Sequence, residues 1–257
     1  MILDLHVNQS IAPWSRVRSS LERIDSGTYD TLWVLDHFAT LGPAAEGEML
    51  DPHVTLGALA ATTTKVNLGV LVNNVANRSA AVIAGATASL QAISAGRAVL
   101  GLGAGASPNS PFAAEHRALN IALLENLADR HNAVMSTLAE IRSIWDGQRH
   151  GAASGQSENP ATFPTPTPLP PVVVGVNSVA LASRAAGVGC GINVRWNHPQ
   201  VEVILAKANH QVGPYASSVW VPFSPEARDP EAHRRFADMG ATRVVLLTTQ
   251  AEDLDAA

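Results

Sequence analysis

Short apolar runs alternate with longer amphipathic segments along most of the chain. The runs are rich in β-branched residues and apolar at consecutive positions, which is typical of strands buried on both faces. They predict the strands Ile2–Val7, Thr31–Leu35, Lys65–Val72, Ala98–Gly103, Val172–Gly175, Gly191–Val194, Ser217–Phe223 and Arg243–Thr248. The segments between them predict the helices Val17–Ser26, Pro52–Thr62, Ser79–Ile93, Leu119–Trp145, Ser178–Ala186, Gln200–His210 and Pro230–Met239. This alternation indicates parallel βαβ units with right-handed crossovers.

Eight strands in 257 residues fit a (β/α)₈ TIM barrel. A last helix would begin near Gln250, close to the end of the sequence, so we expect it to be short or missing. The segment Gly147–Pro171 is rich in Gly, Ser, Thr and Pro and is either a linker or a loop over an active site. A domain boundary there would leave two half-barrels with open edges. We therefore expect one compact domain over residues 1–257.

Composition and charge exclude several classes of protein. Apolar residues make up 46% of the chain and charged residues 15%, which argues against disorder or a coiled coil. The net charge of −5 is spread without runs, so neither nucleic acid nor an anionic membrane is an expected partner. No stretch is long and apolar enough to span a bilayer, and a leader is not apparent. We expect a soluble, cytoplasmic protein.

Polar residues follow most of the predicted strands. In a parallel barrel the carboxyl ends of the strands meet at one rim, where such folds keep their chemistry. Asp36-His37 follows the second strand, and His6 near the end of the first strand allows both imidazoles to face one cavity. The aspartate–histidine pair can move a proton near neutral pH, or it can simply close a strand–loop junction with a hydrogen bond. Trp196, after the sixth strand, is a candidate wall of the same substrate pocket.

Two glycine-containing turns are further candidates. Gly101, Gly103 and Ala106 match G-x-G-x-x-A, but no acidic residue ends a strand some 20 residues later, as a Rossmann turn requires. A simpler interpretation is that the glycines let a planar ring or a phosphate approach the strand end. The turn Gly175–Ser178 precedes a predicted helix, whose start can bind phosphate or be capped by its serine.

Other chemistries lack the residues that they need. The nine histidines show no metal-ligand spacing, so we expect no metal. The sequence has no G-x-S-x-G elbow and no P-loop, and no paired carboxylates lie at strand ends, which argues against hydrolysis and phosphoryl transfer. Cys190, the single cysteine, lies between glycines and apolar residues and is expected to be a buried packing residue.

Four segments together resemble the luciferase-like monooxygenase superfamily, which consists of (β/α)₈ barrels that use a flavin or the deazaflavin coenzyme F420. The segments are Tyr29–Phe38, Thr62–Val72, Ile93–Gly105 and the proline-rich run that leads into Pro171–Gly175. Their order and spacing carry the resemblance, which covers most of the first 194 residues. Asp36-His37-Phe38 is similar to the element that F420-dependent members carry after the second strand.

The resemblance implies a role for each matching residue. His37 and Asp36 are the implied catalytic residues, with His37 near the redox-active carbon and Asp36 at the polar edge of the ring. A non-proline cis peptide is implied near Leu71-Val72, beneath the ring. The residues expected to bind the coenzyme are Asp36, Leu71, Val72, Asn74, Gly103, Asn109, Gly175, Val176, Asn177 and Ser178, the last four at the phosphate of its tail.

The function implied is an F420-dependent oxidoreductase that transfers a hydride to or from a small organic substrate. The alternatives are an FMN-dependent monooxygenase of the same family and a barrel that binds flavin without turnover. Helix Ser79–Ile93 carries apolar and small residues on more than one face, which suits a homodimer.

Overall fold

Eight parallel strands form a closed barrel in the order in which they occur in the chain. The computed structural model describes residues 1–40, 48–146, 164–208 and 213–257. The strands are β1 (Ile2–Val7), β2 (Thr31–Val34), β3 (Asn67–Asn74), β4 (Ala98–Gly103), β5 (Val172–Gly175), β6 (Gly191–Arg195), β7 (Ser217–Pro222) and β8 (Arg243–Leu247). The helices are α1 (Trp14–Ile24), α2 (Pro52–Thr62), α3 (Ala80–Ile93), α4 (Ala114–Ala118), α5 (Leu127–Trp145), α6 (Val179–Gly187), α7 (Val201–Leu205), α8 (Pro230–Asp238) and α9 (Glu252–Ala256).

The predicted barrel is confirmed, and each predicted strand agrees with the structure to within two residues at either end. The last helix, α9, is short, as expected. Residues 164–171, at the end of the proline-rich segment, lie in neither a helix nor a strand. Residues 147–163 and the last two residues of the predicted helix Gln200–His210 lie outside the described part of the chain.

One predicted helix is wrong over its first part. The sequence pattern predicts a single helix over Leu119–Trp145, but α4 ends at Ala118 and α5 begins only at Leu127. Asn120 has a φ of 56°, in the left-handed region, which an α-helix cannot continue through. Most residues between the two helices are exposed, so their apolar positions find no surface to pack against.

Two of the helix starts carry the capping residues that their sequences indicate. The Asp51 carboxylate accepts the N–H groups of His53 and Val54, and Pro52 occupies the first turn of α2. Ser79 accepts the Val82 N–H at the start of α3. These caps satisfy backbone N–H groups that have no partner within the helix.

The strands bury side chains on both faces, as the continuous apolar runs predict. Outward-facing residues such as Leu5, Leu32 and Leu100 pack against the helices in one large cluster. A second cluster fills the barrel interior and consists of Trp33, Leu71, Val99, Val173, Tyr215 and Val245. The two layers follow from the alternation of side chains along a strand.

A buried ion pair between Arg243 and Asp4 lies in the barrel interior near the amino ends of the strands. Trp33 Nε1 donates to the same aspartate at 2.9 Å. Both side chains of this ion pair are buried. The end of the barrel that a ligand can reach is therefore the opposite one, at the carboxyl ends of the strands. Within the described residues, no helix has the length and apolar character that crossing a membrane requires.

Candidate functional site

Asp36 lies at the carboxyl end of β2, but its carboxylate faces the protein and not the rim. Arg78 donates to it from Nη2 at 3.0 Å and from Nε at 3.2 Å, and the backbone N–H of Asn74 donates at 3.0 Å. The Asp36 side chain has no exposed surface. Asp36 therefore anchors the loops after β2 and β3 to each other, and its contact with a coenzyme ring stays a prediction.

His37, the next residue, does face the rim. Its side chain is 23% exposed, and Nδ1 lies 2.7 Å from Oε1 of Glu115, which is buried. The other oxygen of Glu115 accepts the backbone N–H groups of Phe38 and Ala39 at 2.7 and 3.0 Å. The carboxylate partner of His37 is thus Glu115 on α4 and not the adjacent Asp36.

The end of β3 bulges into the barrel. The peptide bond between Leu71 and Val72 is cis, as the resemblance implies, and the register with β4 shifts between Val70 and Asn73. Leu71 is buried in the interior cluster, whereas Val72 is half-buried against it. The bulge presents Val72 at the rim of the barrel.

Glycines make room for this bulge. A Cβ on Gly103 would lie 2.1 Å from Cγ2 of Val72, and one on Gly175 would lie 3.0 Å from its Cγ1. Val72 therefore fills the space beside Gly103. The glycine does not itself leave room for a coenzyme ring, but it allows the bulge that carries Val72 to form. Because Val72 contacts Gly175 and Asn74 bonds Asp36, the ends of β2, β3 and β5 meet at one rim.

Asn74 is mostly occupied by the protein itself. It is buried, its Nδ2 lies 3.2 Å from Nε2 of His116, and its Oδ1 accepts the Ala76 N–H at 2.9 Å. His116 also lies 2.8 Å from Oδ1 of Asn77. These bonds join α4 to the loop after β3, so Asn74 supports the site, and the expectation that it binds the coenzyme directly is not supported by its contacts.

His6 points into the barrel. Its neighbours Leu5 and Val7 belong to the outer cluster, whereas Asp4, two residues earlier, bonds Trp33 in the interior. His6 is buried, and its Nε2 has no hydrogen-bond partner among the residues that the structure describes. Burial lowers the pKa of His6 to about 3, and the nearby His37 adds to this effect. At neutral pH His6 is therefore an uncharged polar group below His37.

Two tryptophans lie on or just after neighbouring strands at this side of the barrel, Trp196 after β6 and Trp220 on β7. Trp196 packs edge-on against Phe236 of α8 with a ring-centroid separation of 6.4 Å, outside the barrel. Trp220 on β7 is half-buried against the interior cluster and lies under the guanidinium of Arg195 at 5.2 Å. Strand alternation turns Trp220 inward, so Trp220 is a further candidate wall of the pocket, and the expected role of Trp196 stays a prediction.

The turn after β5 leads into the start of α6. Ser178 caps the helix by accepting the Leu181 N–H at 3.2 Å, and its Oγ lies 3.4 Å from Nε2 of His131. Val176 is buried and donates its N–H to the Asn193 carbonyl, so that group is not available to a ligand. Asn177 is exposed. Among the four residues expected to contact the phosphate, Val176 therefore cannot donate its backbone N–H to a ligand.

Two further expectations concern the loop after β4 and metal binding. Asn109 is exposed in that loop, and its contact with the coenzyme stays a prediction. Among the described residues, no group of three or more His, Cys, Asp or Glu side chains is arranged to hold a metal ion.

Cys190 is buried and accepts a hydrogen bond from Arg142, and burial raises the pKa of its thiol.

Sequence reasoning missed Arg78 and Glu115. Arg78 is the first cation after β3, and a search for a partner of the strand-end carboxylate Asp36 on the neighbouring strand would have found it. Glu115 is 78 residues from His37 in the chain, and no spacing rule connects the two. Only the packing of α4 across the loop after β2 brings them together.

Known proteins resemble this chain in sequence and in fold. An F420-dependent hydroxymycolic acid dehydrogenase of Mycobacterium tuberculosis is 25% identical over 179 residues, which cover 68% of this chain and 48% of that protein. This chain spans less than half the length of the first curated relatives that it matches.

Two solved structures share the fold. An F420-dependent secondary alcohol dehydrogenase, solved with an F420–acetone adduct, has a TM-score of 0.73 and 13% identity, covering 99% of this chain and 97% of its own. The oxygenating constituent of 3,6-diketocamphane monooxygenase of Pseudomonas putida, solved with FMN, has a TM-score of 0.65 and 16% identity, covering 93% of this chain and 72% of its own. At such identities the likeness concerns the fold alone.

The family model for luciferase-like monooxygenases matches residues 3–242, nearly the whole chain. This match spans β2 to β7 and nearly all of β1, and with them the bulge in β3 and the loop that holds His37. The chain belongs to the luciferase-like monooxygenase family.

Proposed function

We propose that this protein is an F420-dependent oxidoreductase that transfers a hydride to or from a small organic substrate. The observation that carries the proposal is the position of His37, an imidazole held by a buried carboxylate after β2, which pairs with the strand that carries the Val72 bulge. The names of an F420-dependent relative and of an F420-dependent neighbour in fold support the choice of coenzyme.

The residues at the rim fit a planar coenzyme with a phosphate tail. Val72 and Gly175 lie in contact and offer a half-buried apolar floor on which a flat ring can rest. Ser178 caps only the Leu181 N–H, so the first N–H groups of α6 keep no intrahelical acceptor and are suited to an anion. A bound deazaflavin supplies a carbon that donates or accepts hydride.

The chain's own residues have separate tasks in this proposal. The bulge at Val72 and the interior cluster exclude water from below the ring. His37 holds or moves the companion proton at Nε2, because Nδ1 is engaged by Glu115. Trp220 and the uncharged His6 line the interior under the substrate.

FMN is the second candidate coenzyme. The fold neighbour solved with FMN is a monooxygenase, and the same floor and helix start suit the ring and phosphate of FMN. In that case the substrate would be oxygenated, with molecular oxygen as the second substrate. A barrel that binds either coenzyme without turnover is the third alternative.

Fluorescence titration of the full chain with F420, FMN and NADPH tests the proposal. We expect F420 to bind with a micromolar or lower Kd and at least tenfold more tightly than FMN. The variant Val72→Asp, which places a charge in the floor, should weaken binding by at least tenfold, whereas Val188→Asp, at an exposed apolar position, should not. Tighter binding of FMN would favour the monooxygenase, and binding of neither coenzyme would exclude both.

We also propose that the protein is a homodimer through α2 and α3, which pack side by side. Val54 of α2 and Val82 and Ile93 of α3 are more than half exposed. Large apolar side chains grouped on adjacent helices mark interaction surfaces. A second copy of the chain would cover them.

A further inference from the structure

The tautomer of His37 is fixed from the inside of the protein. Glu115 approaches Nδ1 of His37 at 2.7 Å, while the opposite nitrogen, Nε2, makes no hydrogen bond within the described residues. An ionised carboxylate can only accept hydrogen bonds, so Nδ1 must carry the proton. In the neutral ring Nε2 is then unprotonated.

The carboxylate is held on its other side as well, although its Oε1 also lies 3.8 Å from Nδ1 of His116. Its Oε2 already accepts two backbone N–H groups, those of Phe38 and Ala39, and its side chain is 1% exposed. These bonds leave Oε1 aimed at His37. The loop after β2 therefore positions Glu115, and Glu115 in turn positions the imidazole.

The helix that carries Glu115 is held in place as well. His116, the next residue, bonds Asn77, and Arg117 donates to the Pro108 carbonyl at 3.1 Å. Phe112, just before α4, lies 6.3 Å from the His37 ring between centroids. A short helix is thus fixed at both ends across the loop that contains His37.

We propose that Glu115 is a positioning residue that holds His37 as the Nδ1–H tautomer, so that Nε2 faces the rim as a hydrogen-bond acceptor and proton acceptor. This inference rests on the proposed function for its catalytic consequence, but the tautomer itself belongs to the coenzyme-free chain. If Glu115 only anchored the loop, its hydrogen bonds to the backbone N–H groups of Phe38 and Ala39 would be sufficient.

Replacement by glutamine separates the two roles. In Glu115→Gln the amide oxygen still accepts from Phe38 and Ala39, so the loop anchor is retained. The amide nitrogen then faces His37 and donates to Nδ1, which forces the proton onto Nε2. The variant should fold like the wild type and carry the inverted tautomer.

Nitrogen-15 NMR of the protein without coenzyme, with His37→Gln used to assign the signals, measures which ring nitrogen is protonated. We expect Nδ1–H in the wild type and in the control Glu125→Gln, which lies in the exposed segment after α4, and Nε2–H in Glu115→Gln. The same tautomer in wild type and Glu115→Gln would overturn the proposal, whichever coenzyme the protein binds.

A kinetic measurement adds the functional consequence. Glu115→Gln should lower kcat by about 10²-fold or more, within the usual range for a lost proton-transfer group, with coenzyme Kd unchanged. The double variant with His37→Ala should be no slower than His37→Ala alone, because the two residues act as a unit. Additive losses would overturn a role that acts through His37. If no coenzyme binds at all, the proposed function fails while the NMR result still stands.

Discussion

Arg78 donates hydrogen bonds to the carboxylate of Asp36 from two of its nitrogens, Nη2 at 3.0 Å and Nε at 3.2 Å from Oδ1. The same guanidinium reaches Asp51, the cap of α2, at 2.8 Å. One cation thus ties the loop after β3 to the end of β2 and to the start of α2. His37 follows Asp36 directly, so this contact sets the backbone from which the candidate catalytic imidazole projects.

Removal of Arg78 should destabilise the protein strongly. Arg78→Met leaves the Asp36 carboxylate buried without its partner, which typically costs about 3 kcal/mol or more in free energy of unfolding. Arg16→Met is the control, since the side chains of its ion pair with Asp255 are both partly exposed to solvent, and its loss should cost much less. Urea unfolding measures both. Equal losses of unfolding free energy in the two variants would contradict a larger contribution of the ion pair between Arg78 and Asp36.

The close contact between Gly103 and Val72 makes a second prediction. A methyl group at position 103 would lie 2.1 Å from Val72, so Gly103→Ala should displace the bulge, cost about 1–3 kcal/mol and weaken coenzyme binding. Adding Val72→Ala should restore part of the stability. Gly57→Ala in α2 meets no atom within 4 Å and should be neutral or stabilising. A destabilisation that the second substitution does not relieve would contradict the proposed contact.

His37→Ala should separate binding from catalysis. Its side chain is partly exposed at the rim and the bulge does not depend on it, so coenzyme Kd should change less than threefold. The loss of a positioned acid–base group should lower kcat by about 10²–10⁴-fold. Single-turnover kinetics with any accepted substrate provides the measurement. Unchanged turnover would refute the catalytic role of His37.

Burial of His6 makes the stability of the protein depend on pH. The folded-state pKa is about 3, below the usual value of 6.5, so between these values the unfolded chain binds a proton that the native protein does not. The free energy of unfolding therefore falls as the pH is lowered through this window, by at most about 1.4 kcal/mol per pH unit from this group. His6→Asn should show a shallower dependence in urea unfolding across the window. An identical slope would mean that His6 is protonated in the native state.

The proposed dimer can be tested at the exposed face of α3. Val82→Arg places a charge where we expect the second copy, and light scattering coupled to size exclusion should then report a monomer in place of a dimer. Val188→Arg alters a similarly exposed valine after α6 and should leave the dimer intact. A wild-type monomer at micromolar concentration would contradict the proposal.

The sequence by itself determined the barrel. Continuous apolar runs at Ile2–Val7 and Ala98–Gly103 need burial on both faces, and a closed ring of strands wrapped in helices provides it. Because all strands are parallel, the sequence also determined that His6, His37 and the turn at Gly175 lie at one end of the barrel. These conclusions follow from local periodicity, which is readable along the chain.

Tertiary structure alone decided what each polar group at that end does. Asp36 and His37 are neighbours in sequence, yet one turns inward to Arg78 and the other meets Glu115 on a helix 78 residues away. Gly103 makes space for Val72 because β3 bulges where it pairs with β4. Side-chain partners across such distances depend on how helices and loops pack on the barrel, and no spacing in the sequence encodes that packing.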